Sequence, residues 1–73
     1  MNDFSFEIAQ HIATLSESGS IRKELNVVSF NGGEPKYDIR TWMRKASGEV
    51  RPLRGVTLTE SELEALKEAL GRL

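Results

Sequence analysis

From Phe4 to Leu15 the chain sets Phe4, Phe6, Ile8 and Ile12 against Ser5, Glu7, Ala9 and His11, the two-residue period of a half-buried strand. Ile8, His11, Ile12 and Leu15 also fit the three-and-four spacing of a helix, so a helix is the competing reading of this segment. Ser16 to Ser20, SESGS, is a turn by composition. Residues 21–30 then read as a second strand, with Leu25 and Val27 on one face and Arg22, Glu24 and Asn26 on the other. Adjacent Val27 and Val28 break that alternation and predict either a bulge or a strand covered on both faces.

Asn31-Gly32-Gly33-Glu34-Pro35 forms a loop, because Asn-Gly and Gly-Gly adopt turn geometries at little cost. The stretch beyond it, KYDIRTWMRK, predicts a third strand from Lys36. Alternation puts Tyr37, Ile39, Thr41 and Met43 on one face and Lys36, Asp38, Arg40, Trp42 and Arg44 on the other. With Ile39 and Met43 toward a core, Trp42 is expected to stand accessible among charges. Ser47-Gly48 makes the next turn, and residues 50–58 a fourth strand, with Pro52 confining its first half to an edge or irregular segment and Gly55 marking a bend.

Thr59-Glu60-Ser61-Glu62 has the spacing of a capping box, and Leu63, Leu66, Leu70 and Leu73 recur at three and four residues after it, which predicts an amphipathic helix. Glu64, Lys67, Glu68 and Arg72 fall on its polar side. Ala65 and Ala69 widen the apolar stripe, leaving part of it for the sheet and part for a second chain.

The chain has 73 residues and no cysteine. That length makes a single domain, residues 1–73, whose core is marginal alone, and without disulfides or thiolate metal sites the favoured remedy is self-association. No apolar run approaches the ~20 residues that span a bilayer. MNDFSFEIAQ lacks the basic start and apolar stretch of a signal peptide, which points to the cytoplasm. Charge is segregated: Arg22, Lys23, Lys36, Arg40, Arg44, Lys45, Arg51 and Arg54 face only Glu24, Glu34, Asp38 and Glu49, a net +4 within a chain of total charge −1. Such a block suits an anionic partner.

Catalysis is not expected. His11 is the single histidine, no cluster of ligands has metal-binding spacing, and Gly32-Gly33 lacks the helix and lysine of a phosphate loop. No cofactor or metal is called for. Basic side chains interleaved with aromatics on a sheet face suit single-stranded nucleic acid, where cations track phosphates and rings stack on unpaired bases. A solvated face with Trp42 at its edge is the plainer reading of the same pattern.

KYDIRTW, followed after a short turn by EVRPLRGVTLTESELEALKEAL, resembles the C-terminal DNA-binding domain of the transcriptional positive cofactor (p15 coactivator) family, and RKELNVVSFNG with PKYDIRTW is similar to its small bacterial YdbC-like members. The resemblance covers residues 21–70. It implies an α+β fold, a four-stranded antiparallel β-sheet followed by a C-terminal α-helix (ββββα), and a homodimer formed through Leu63, Leu66, Leu70 and Leu73. It further implies binding of single-stranded DNA with little sequence preference, in transcription regulation, replication or repair, with RNA and unwound duplex left open as ligands. Carried over by position, Phe30 and Trp42 stack on bases, Arg40 and Arg54 contact backbone or bases, and Lys23, Lys36 and Arg44 line the same surface. Asp38 is expected to orient arginines. The alternative is a dimeric protein–protein adaptor whose basic face is incidental.

Overall fold

The computed structural model describes residues 4–73; Asp3 and the start of MNDFSFEIAQ lie outside the described residues. Four strands, β1 (Phe6–Ser18), β2 (Ile21–Phe30), β3 (Lys36–Arg44) and β4 (Val50–Leu58), precede one helix, α1 (Glu60–Leu70). The strands form an antiparallel meander in the order β1-β2-β3-β4, so the expected ββββα architecture is present. Asn31 and Gly32 both take positive φ, 53° and 73°, and the Gly33 amide donates to the Phe30 carbonyl at 2.9 Å, the sign pattern an Asn-Gly turn favours. The capping box is complete. Thr59 Oγ1 accepts from the Glu62 amide at 3.2 Å and the Glu62 carboxylate accepts from the Thr59 amide at 2.8 Å.

The first segment is strand, not helix, and it runs further than its composition suggests, to Ser18. Its pairing with β2 slips between Ile8 and Gln10, between His11 and Ala13, and between Thr14 and Ser16. Ala9, Ile12 and Leu15 are therefore extra residues, and three bulges turn the period of two into an approximate period of three. That is why a helical spacing could be read there. The irregularity expected at Val27 and Val28 lies on the partner strand, where Ala9 bulges opposite them, while β2 pairs with β3 without a break.

Each bulge adds local twist and bend, and together they accompany a sheet that curls onto itself. Phe6 is paired with Phe30, whereas Trp42 is paired with Arg22. At ~3.3 Å per residue a flat strand would hold those two β2 positions about 26 Å apart. The Phe6 and Trp42 rings nevertheless lie 5.2 Å apart.

The curl decides which face is inside, and it corrects the sequence expectation. Trp42 is 3% exposed and Val28 1%, and Asn26 and Asp38, opposite one another across β2 and β3, are fully buried. Asp38 and Trp42 lie inside rather than on an outer charged face, Arg40 is partly buried, and only Lys36 and Arg44 of that set are exposed. Tyr37, Ile39, Thr41 and Met43 stay half-exposed on the other side. Helix α1 touches only β3 and β4; Leu63, Leu66 and Ala69 are half-buried while Leu70 and Leu73 are 55% and 99% exposed. Among the described residues no helix is long and apolar enough to cross a membrane.

Candidate nucleic-acid interface

The curl creates a groove of about 780 Å³ where the start of β1 approaches the start of β4, lined by Phe4, Phe6 and Phe30, by Arg40, Lys45 and Arg51 with Glu49 among them, and by Ser5, Val50, Pro52 and Leu53. Three phenylalanines converge in it, Phe6 of β1, Phe30 of β2 and Phe4 just before β1. The Phe4 ring is 6.4 Å from Phe6 and 6.1 Å from Phe30, both tilted, within the range of favourable ring contacts. Phe4 is 53% exposed, and Phe6 and Phe30 are half-exposed.

Arg40 forms one wall and is held from three sides. Its Nε and Nη2 donate to Asp38 Oδ1 and Oδ2 at 3.1 and 2.9 Å, and its Nη1 donates to the Leu53 carbonyl at 2.8 Å. Thr57 Oγ1 adds a 3.1 Å hydrogen bond to Asp38. The forked pairing fixes the guanidinium plane, whose carbon sits 4.9 Å from the centre of the Phe30 ring, a cation–π contact. Asp38 thus orients an arginine, in keeping with the role expected of it. Because that carboxylate balances its charge, Arg40 shapes the groove more than it adds net positive potential.

Close packing of β3 on β4 makes this possible. A Cβ at Gly55 would lie 2.5 Å from Arg40 Cβ, 2.6 Å from the Ile39 carbonyl oxygen and 2.7 Å from Arg40 Cα, so only glycine permits the approach. The register slips between Arg40 and Trp42, the irregularity anticipated from Pro52 and Gly55.

The seven residues singled out by sequence fall into neighbouring groups, two of them joined through Arg40. Phe30 and Arg40 meet in the groove. Lys23 and Arg54 line an adjoining depression that Arg40 also borders, with Ile39, Thr41 and Val56, Arg44 and Trp42 border a small hollow with Arg22 and Glu24, and Lys36 lies near the β2–β3 loop and the start of α1. Trp42 sits against Phe6, and among the described residues its buried Nε1 has no hydrogen-bond partner. Phe4, Phe6, Lys45 and Arg51 were missed as site residues. Two phenylalanines at alternate positions carry no mark of a site until the curl brings them to Phe30.

Among the described residues, Lys23, Lys36, Arg44, Arg51 and Arg54 have no carboxylate within ion-pair distance, whereas Lys45 pairs with Glu49 at 3.3 Å and Arg22 lies 3.6 and 3.7 Å from Glu17 and Glu24. A second polar chain runs under β1. His11 Nδ1–H donates to Asn26 Oδ1 at 2.7 Å, because the Asn26 amide is engaged as donor to Glu24 at 3.0 Å; His11 Nε2 faces Thr14 Oγ1 at 3.2 Å. This network satisfies the buried Asn26 and leaves His11 a structural donor.

The fold and its groove define a small antiparallel ββββα domain with an aromatic, cation-edged cleft on its curled sheet. The chain belongs to the Transcriptional Coactivator p15 (PC4) family, whose model matches residues 18–69. It is also similar to an uncharacterised protein of Treponema pallidum (strain Nichols), 40% identical over 73 residues, which cover 99% of this chain and 82% of that protein.

Proposed function

We propose that the protein is a homodimeric single-stranded DNA-binding protein with little sequence preference, holding melted DNA during transcription, replication or repair. The observation that carries this reading is an open groove that gathers aromatic rings, Phe4 against Phe30 and Phe6 against Trp42, beside Arg40, Lys45 and Arg51. Flat rings stack on any base, and cations follow the phosphates. No set of side chains resembling a base-reading code is needed, and membership of a coactivator family agrees with a task on DNA. Lys23 and Arg54, in a depression joined to the groove through Arg40, and Lys36 and Arg44 beyond it extend the positive surface along which a strand can pass.

The dimer reading rests on unfilled apolar surface. Leu70, Leu73 and Val56 are more than half exposed, and α1 has no buried residue; pairing of Leu63, Leu66, Leu70 and Leu73 with a second copy would cover the stripe. The same surface suits a protein-binding adaptor, so the ligand experiment discriminates. Oligothymidine titrated against the protein, followed by retardation and by emission of Trp42, should bind well ahead of duplex of the same length. With about four phosphates neutralised per protomer, log affinity should fall against log salt with a slope near −3. Absence of binding at low salt, or a salt-independent curve, would refute the DNA reading.

A further inference from the structure

Trp42, the residue whose accessibility the sequence suggested, lies under the first residues of the described chain. Phe6 covers its ring at 5.2 Å and a 49° tilt, and Phe4 covers Phe30 at 6.1 Å and 33°. Both are tilted ring contacts on the two aromatics that a base would need to reach. The covering segment is the terminal part of an edge strand, set apart from the rest of β1 by the bulge at Ala9. Its end is latched to one residue: the Ser5 amide donates to Asn31 Oδ1 at 2.9 Å, and the Asn31 amide donates to the Ser5 carbonyl at 2.8 Å. Among the described residues the buried Trp42 Nε1–H has no acceptor.

We propose that residues 4–8 are a displaceable cover, an internal competitor that occupies the stacking surface of Phe30 and Trp42 until unpaired nucleobases take the place of Phe4 and Phe6. This rests on the single-stranded DNA reading above. Exchange replaces tilted phenylalanine contacts by stacked bases, and the surrounding cations add to the gain. Opening uncovers the Trp42 ring that Phe6 packs against. Apparent affinity is then the intrinsic affinity reduced by the fraction of molecules in the open form, and anything that loosens the latch raises it.

Asn31→Gly is the cleanest test, because glycine accepts the φ of 53° at that position and only the Oδ1 latch is lost. Phe4→Ala, at a half-exposed position, removes part of the cover with little risk to folding. Both variants should bind oligothymidine about two- to five-fold more tightly than the unaltered chain, the effect of one modest hydrogen bond, and acrylamide should quench Trp42 more readily in each. If the unaltered chain binds and both variants bind equally or more weakly, the cover idea is overturned while the DNA reading stands; weaker binding by Phe4→Ala alone, with Asn31→Gly unchanged, would make Phe4 a stacking residue and also overturn it. If no form binds, the DNA reading falls and the competitor role falls with it, and the acrylamide measurement still reports separately whether loosening the latch uncovers Trp42.

Discussion

Asp38→Asn tests how the groove is held. Asp38 is fully buried and accepts hydrogen bonds from Arg40 Nε, Arg40 Nη2 and Thr57 Oγ1. Asparagine keeps the shape but loses the charge and one acceptor oxygen, and its amide group turns a donor toward other donors. Removing one partner of a buried pair costs about 3–5 kcal/mol. The Arg40 side chain is 17% exposed, so water recovers part of its charge, and about 2–4 kcal/mol is the expected loss. A domain of this size has a total stability of only about 4–11 kcal/mol. Urea unfolding followed by Trp42 emission at one fixed protein concentration, necessary if the protein is a dimer, should therefore show a large drop in midpoint. Combining Asp38→Asn with Arg40→Met should cost less than the two changes summed, by at least about 1 kcal/mol. A loss below about 1 kcal/mol for Asp38→Asn, or strict additivity in the cycle, would refute the claim that this pair organises the groove.

Gly55→Ala should lower stability by about 3 kcal/mol or more, at or beyond the upper end of ordinary overpacking, because the new methyl meets the backbone of Ile39 and Arg40 rather than a flexible side-chain end; a thermal melt within a degree or two of the unaltered chain would contradict the close-approach reading. Leu70→Asp with Leu73→Asp should convert the proposed dimer to monomer in sedimentation velocity with the far-ultraviolet spectrum retained, since both side chains are exposed in the single chain. An unchanged sedimentation coefficient matching a dimer would move the interface elsewhere.

The features legible in the sequence are those set by neighbours along the chain. The capping box needs Thr59 and Glu62 three residues apart, and both its hydrogen bonds form; the Asn31-Gly32 turn needs two residues that tolerate positive φ, and both adopt it. Strand limits at Ile21–Phe30, Lys36–Arg44 and Val50–Leu58 follow from alternation bounded by Gly, Pro, Asn and Ser. Alternation also separated Ile39 from Arg40 and Trp42. It could not say which side is interior, because a period of two is symmetric under exchange of faces.

That choice belongs to the tertiary structure. Three bulges in β1 exist only against the register of β2, and the bend they accompany brings Phe6 over Trp42 and Phe4 over Phe30. In a flat sheet Trp42 would have been the exposed ring and Phe6 an ordinary strand residue. The curl reverses their places, encloses Asp38 and its arginine, and makes a groove from residues far apart in the chain. Local chemistry in the sequence determined the elements and their ends; long-range register determined the inside, the site and what covers it.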